Sequence, residues 1–124
     1  MGSLFVLSES QKGEYLPLGR RTSVIGRGEN LPLQVRDDRI SRKHLRIRFD
    51  QGQNRYLAED MGSKNGVLIN SRKIEDPTPL REGDRILIGN SELLFTEKDF
   101  DNEQNALLHF KKHGELERPT YTQE

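Results

Sequence analysis

The sequence predicts an all-β fold, a sandwich or barrel of short strands. Three observations carry that prediction. Residues 44–50 alternate cleanly, with Leu45, Ile47 and Phe49 on one face and His44, Arg46, Arg48 and Asp50 on the other. A period of two marks a half-buried strand. About ten short runs of strand character recur along the chain, with turn signals every eight to twelve residues, a spacing typical of sandwiches and barrels. No helical pattern precedes residue 100.

Taken in order, Leu4-Phe5-Val6-Leu7 is an apolar run suited to a strand buried on both faces. A turn at Gln11 to Glu14 leads into Tyr15 to Leu18, whose Pro17 fits an edge strand. Ser23-Val24-Ile25 is a third strand and ends at Gly26-Arg27-Gly28; Leu33-Gln34-Val35 is a fourth. The polar loop from Arg36 to Arg42 feeds the alternating strand at His44 to Asp50. Gln51 to Asn54 turns into Tyr56 to Glu59, and a second polar loop, Asp60 to Gly66, precedes Val67 to Ile69. Asn70-Ser71 turns into Arg72 to Ile74, and Pro77 and Pro79 mark a loop. Arg85 to Ile88 and Glu92 to Phe95 form a last pair hinged at Gly89-Asn90-Ser91. Beyond Asp99 the pattern changes. Ala106, Leu107 and Phe110 lie at helical spacing within Glu103 to His113, and Glu115 to Glu124 reads as a disordered acidic tail. The expected layout is a domain over residues 1–98, then a short helix and tail over 99–124.

A chain of 124 residues with 31% hydrophobic and 32% charged residues fits one domain with a modest core. No apolar run approaches a membrane span. Met1 to Leu4 lacks the pattern of a signal peptide, and Val6 stands where myristoylation needs Ser or Thr. The absence of cysteine excludes disulfides and Cys-based zinc sites and fits a cytoplasmic protein. His109 and His113 are four apart but lack a third ligand nearby, so no metal or cofactor is expected. The zero net charge hides an asymmetry. Nine Lys and Arg residues against three acids lie between Arg20 and Arg48, whereas four face seven from Glu97 onward. A basic middle implies an anionic partner.

The chemistry lies in three loops: Gly26-Arg27, Ser41-Arg42-Lys43-His44 and Ser63-Lys64-Asn65-Gly66. Loops at one end of a sandwich cluster in space. Together these would surround a small concavity with Arg27, Arg42, Lys64, two serine hydroxyls and the Asn65 amide, a set of donors that suits a dianion. An arginine fork matches phosphate oxygens in pairs, and Asn donates and accepts, as a peptide backbone requires. Ser41, His44 and Asp60 could be imagined as a hydrolytic triad, but no nucleophile elbow or oxyanion-hole motif accompanies them. Neither a P-loop nor a Gly-x-Gly-x-x-Gly motif occurs. Asn65-Gly66 is also a hairpin signal in its own right.

The ordered set Gly26-Arg27, Ser41-Arg42-Lys43-His44, Gly62-Ser63-Lys64-Asn65-Gly66 and Asn70 resembles the forkhead-associated (FHA) domain, as does Leu80-x-x-Gly83-Asp84-x-Ile86-x-Ile88-Gly89. The resemblance covers residues 3 to 97. It implies an eleven-stranded β-sandwich whose apical loops bind phosphothreonine in a partner protein, without catalysis. Carried over, it makes Arg27, Ser41, Arg42 and Lys64 the phosphate ligands. Asn65 would hold the peptide backbone, and Arg39 would read the third residue after the phosphothreonine, with an acidic preference. Gly26, His44, Gly66 and Asn70 would be structural. Val67 departs from the Thr that often follows Asn-Gly in the family; with Arg27, Ser41 and Asn65 intact, binding is expected to survive the lost hydroxyl.

The expected function is therefore a monomeric, phosphothreonine-dependent interaction module that recruits kinase-modified partners. Two rivals remain. One is a switch that binds its own tail phosphorylated at Thr120 or Thr122. The other is a nucleic-acid-binding module using the basic middle, although the patch lacks interleaved aromatics for base stacking.

Overall fold

The computed structural model describes residues 2–8 and 13–97, all of them in strands, turns or loops. Eleven strands form two sheets. One sheet holds β1 (Ser3–Val6), β2 (Tyr15–Pro17), β7 (Val67–Ile69), β8 (Arg72–Lys73), β10 (Arg85–Ile88) and β11 (Ser91–Thr96), in the order β2-β1-β11-β10-β7-β8. The other holds β3 (Thr22–Gly26), β4 (Leu33–Gln34), β5 (Leu45–Asp50), β6 (Arg55–Asp60) and β9 (Thr78–Pro79), in the order β4-β3-β5-β6-β9. The predicted helix at Glu103 to His113 and the tail from Glu115 lie outside the described residues.

Every strand read from the sequence is present, with ends shifted by a residue or so. The addition is β9. Pro77 and Pro79 read as a loop, yet Thr78 and Pro79 pair with Ala58 and Leu57 of β6 at the sheet edge, where a missing N–H is tolerated.

The alternation in β5 does what the period implies. Leu45 and Ile47 are fully buried, while Arg46 and Arg48 stand on the outer face and both bind Glu59 of β6, at 2.8 and 2.9 Å. The Arg46 hydrogen bond, with Arg48 and the charge of both added, outweighs partial burial and holds the Glu59 carboxyl below the usual glutamate range. Between the sheets, Leu4, Val6, Ile25, Leu45, Ile47, Ile86, Ile88, Leu93 and Phe95 form the main core. Each such side chain contributes roughly 1.5–3 kcal/mol by burial. The β1 strand is buried on both faces, as its unbroken apolar run predicts. Leu4 and Val6 enter this core, and Phe5 joins Leu7 and Leu94 in a second cluster.

Register decides where the loops go. Ile25 pairs with Leu45 and Leu45 with Asp60; in the other sheet Val67 pairs with Ile88 and Ile88 with Ser91. The end of β3, the start of β5, the end of β6, the start of β7 and the β10–β11 turn therefore share one end of the sandwich. Val67 itself is fully buried in the core, so its β-branched shape serves packing.

Candidate functional site

The three polar loops meet at that end. Arg27, Asp38, Arg39, Ile40, Ser41, Lys64 and Asn65 line a cavity of about 390 Å³. Five residues singled out from the sequence (Arg27, Arg39, Ser41, Lys64 and Asn65) thus share one concavity.

Arg27 extends from the end of β3 beside the loop before β5. Its backbone N–H donates to the Ser41 carbonyl at 3.1 Å, and its Nε donates to the Ile40 carbonyl at 3.0 Å. Those bonds fix the guanidinium, and its two terminal nitrogens have no protein partner among the described residues. Gly26 makes the approach feasible: a Cβ there would collide with the Arg42 carbonyl oxygen. Ser41 Oγ accepts the Lys64 backbone N–H at 3.2 Å, so its own proton is available to another acceptor. Asn65 donates through Nδ2 to the Arg39 carbonyl at 2.7 Å. Its Oδ1 and second amide hydrogen have no protein partner among the described residues. Lys64 and Arg39 present exposed cationic side chains to the same space.

Arg42 is placed differently. It does not line this cavity. With Lys43, Gly28, Glu29, Asn30 and Leu31 it lines an adjoining depression of about 560 Å³, and Arg27 stands between the two. The four residues predicted to hold phosphate are therefore divided, with Arg27, Ser41 and Lys64 on one side and Arg42 on the other.

His44 is fully buried, although alternation assigned it to the polar face. The residue precedes β5 and turns inward. Nδ1 accepts the Ser41 backbone N–H at 3.0 Å, and Nε2 lies 2.6 Å from the Gly66 carbonyl. An amide N–H can only donate and a carbonyl can only accept, so the proton sits on Nε2. His44 thereby ties the Ser41 loop to the Asn65-Gly66 loop. Gly66 has φ +82°, a conformation that favours glycine. No hydrolytic relay forms: Nδ1 takes the Ser41 amide rather than its hydroxyl, and Asp60 is turned to Ser63. Asn70 lies at the other end of β7, where it donates to Asp84 at 2.9 Å and accepts the Arg85 N–H at 3.0 Å.

Among the supporting residues, Asp37 escapes sequence reading, while Asp60 and Ser63 take a different role: Ser63, expected as a second hydroxyl donor to the concavity, does not line it and is bonded to Asp60 and Gly66 instead. Asp37 accepts from the Asn90 and Arg39 amides and the Ser91 hydroxyl, at 2.8, 2.9 and 2.7 Å, and so clamps the Arg39-Ser41 loop to the β10–β11 turn. Burial opposes its ionisation. The Ser91 hydroxyl, the two amides and the Arg39 charge together prevail and hold the carboxyl below the ordinary aspartate value. Asp60 accepts from both Ser63 Oγ and Ser63 N–H, at 2.6 and 3.0 Å, and Ser63 Oγ in turn accepts the Gly66 N–H at 3.0 Å. The spacing Asp-x-x-Ser is a recognisable loop-capping signal. Asp37's clamp on the β10–β11 turn has no such signal, because Asn90 and Ser91 lie more than fifty residues away; its bond to the Arg39 amide is the local part.

Among the described residues no group of three or more His, Cys, Asp or Glu side chains could hold a metal ion, and no helix is long and apolar enough to cross a membrane.

Comparison with known proteins agrees with this fold. The FHA domain-containing protein FhaA of Mycobacterium tuberculosis is 37% identical over 82 residues, covering 66% of this chain and 15% of that protein. The chain thus spans under a sixth of that relative's length. A solved structure from a structural and functional study of phosphothreonine-dependent FHA domain interactions superposes with a TM-score of 0.70 at 28% identity, covering 80% of this chain and 98% of the other. The FHA domain of the CT664 protein from Chlamydia trachomatis gives 0.70 at 29% identity, covering 79% and 98%. The FHA domain model matches residues 23–89, more than half of the 124 residues. On that match, and on a two-sheet sandwich shared with solved FHA domains, the chain belongs to the FHA domain family.

Proposed function

We propose that this domain is a phosphothreonine-dependent protein–protein interaction module that recruits partners already modified by a Ser/Thr kinase. The observation that carries the reading is Arg27. Its guanidinium is anchored through Nε to the Ile40 carbonyl, and its terminal nitrogens are left at the wall of the 390 Å³ cavity. Ser41 adds a hydroxyl proton and Lys64 a second cation. A phosphothreonine carries about −1.5 to −2 charges near neutral pH, and each charge-assisted bond to it is worth roughly 1.5–3 kcal/mol. Asn65, tied to the rim through Arg39, offers one donor and one acceptor to the peptide backbone. Arg39 faces the same cavity and favours an acidic residue beyond the phosphothreonine. The solved relative from phosphothreonine-dependent interactions supports the same ligand class.

In this reading the recognition unit is residues 1–98, working as a cytoplasmic monomer, with 99–124 appended. Thr120 and Thr122 lie outside the described residues. The self-binding alternative is tested by deleting residues 115–124 and comparing peptide affinity before and after kinase treatment. The nucleic-acid alternative predicts a steep loss of affinity with salt, which a single held phosphate does not.

The decisive experiment is a degenerate phosphothreonine peptide library presented to the wild type and to Arg27→Ala. Selective binding of phosphorylated peptides by the wild type, lost in the variant, is expected. Indifference to phosphorylation, or equal binding by the variant, overturns the reading.

A further inference from the structure

The depression beside the phosphate cavity has no role in the scheme above. Its floor is backbone: the Gly28 N–H donates to the Arg42 carbonyl at 3.2 Å, and the Leu31 N–H donates to the Gly28 carbonyl at 3.2 Å. Those bonds hold the turn after β3 against the Arg42-Lys43 segment. The walls carry Arg27, Arg42 and Lys43 against a single carboxylate, Glu29. All three cations are exposed, and Arg42 and Lys43 have no side-chain partner among the described residues. An ion pair inside the protein would be the ordinary reason to gather such charges, and these three make none among the described residues. At about 560 Å³ the space is larger than the phosphate cavity. One side chain, Arg27, forms the partition. The two depressions share that wall, so an extended peptide, at roughly 3.3–3.6 Å per residue, reaches from one to the other within a few residues.

We infer that the Arg42–Lys43 depression is a second anion subsite, which reads a phosphorylated or acidic residue within about three positions of the phosphothreonine on the same peptide. This rests on the proposed phosphothreonine reading and extends it: the domain prefers ligands with two anionic residues at a fixed separation. A phosphate and a carboxylate share the required chemistry, acceptor oxygens facing cationic donors, and differ in charge. The Arg42 guanidinium can engage either in a bidentate manner, and Lys43 adds a point charge.

The test is an affinity scan by fluorescence anisotropy. One phosphothreonine peptide with alanine flanks is the reference. A phosphoserine, and in a parallel set a glutamate, is then moved through each position from four before to four after the phosphothreonine. A gain of about tenfold confined to one or two adjacent positions on one side is expected. Glutamate should give a smaller gain at the same positions. The phosphoserine gain should shrink below pH 6, where the second phosphate proton returns, more than the glutamate gain. Lys43→Glu should abolish the gain while leaving reference affinity within about threefold, and Arg42→Ala should reduce it. No position-specific gain, or a gain untouched by Lys43→Glu, overturns the inference while the reference peptide still binds. Loss of reference binding equal to the loss of gain in Lys43→Glu also overturns it, because it merges the two subsites. Failure of the wild type to bind even the reference peptide overturns the phosphothreonine reading itself.

Discussion

Replacing His44 by Ala should destabilise the domain far more than replacing Arg27, although Arg27 is the residue expected to touch ligand. His44 is fully buried and satisfies the Ser41 N–H at 3.0 Å and the Gly66 carbonyl at 2.6 Å. Alanine removes both partners and leaves a void where the ring stood. An orphaned buried donor or acceptor costs roughly 1–3 kcal/mol, so two of them with the lost packing cost about 3–5 kcal/mol. That is a large part of the 5–15 kcal/mol typical of a whole domain, and it corresponds to a melting temperature lower by ~12 °C or more. His44→Asn offers an amide oxygen to the Ser41 N–H but cannot reach Gly66, and should lose about half as much. Arg27 is exposed, and its side chain makes one hydrogen bond to the protein. Arg27→Ala should therefore cost only about 0.5–1.5 kcal/mol of stability. Loss of two charge-assisted phosphate bonds should nevertheless weaken peptide binding by at least ~100-fold. Urea unfolding of the four proteins, with m-values checked for constancy, reads the first quantity, and anisotropy with a phosphothreonine peptide reads the second. A His44→Ala midpoint within error of wild type, or an Arg27→Ala protein that loses stability and binding in proportion, would refute the division into brace and ligand.

Acid should weaken the fold through Asp37 and Glu59. Both carboxyls are held below their usual values, so their stabilisation is present above the unfolded-state pKa near 4 and is lost as pH falls through the lowered folded value. Melting temperature measured from pH 6 to pH 2 should fall, with a shallower slope in Glu59→Gln. Gly26→Ala should be strongly destabilising because its Cβ would meet the backbone carbonyl of Arg42, whereas Gly28→Ala should be milder, with its nearest contact 3.3 Å from the same atom; thermal melts of the two variants check the order. Phosphopeptide affinity should decline as pH drops through about 6, because the phosphate takes up a proton, and titration with a peptide bearing Glu in place of phosphothreonine should show no such step.

The sandwich was legible because strand chemistry is local. Alternation at Leu45, Ile47 and Phe49, and the unbroken run at Leu4 to Leu7, report burial through nearest neighbours alone. Thr78–Pro79 was not legible, because a two-residue strand with a proline exists only through its partner: β6 offers Leu57 and Ala58 at an edge where no further strand competes. His44 misled for a related reason. Period-two reasoning extends one residue too far upstream. The imidazole turns inward once the Gly66 carbonyl arrives from a loop twenty-two residues later.

Within the site, polar residues fall into two groups that composition and periodicity alone do not tell apart; only the family resemblance set His44 against Arg27, Arg42 and Lys64. Asp37 and His44 spend their donors and acceptors on groups of neighbouring loops, and Asp60 and Ser63 on each other and on the backbone of their own loop. Arg27, Lys64, Arg42 and Lys43 keep charged ends with no partner among the described residues. Before folding, all eight are simply polar loop residues near glycine. Folding assigns the roles through satisfiability. A buried imidazole or carboxylate must find partners, so those side chains lock the loops, and the cations that remain unpaired are held at the mouth of two adjoining cavities by a frame they did not build. The same sorting separates Arg42 from Ser41, its immediate neighbour in the chain. The Ser41 hydroxyl accepts Lys64 and faces one cavity, while the Arg42 carbonyl accepts Gly28 and its side chain faces the other. On the proposed reading these two consecutive residues serve different anions, because their side chains line different cavities.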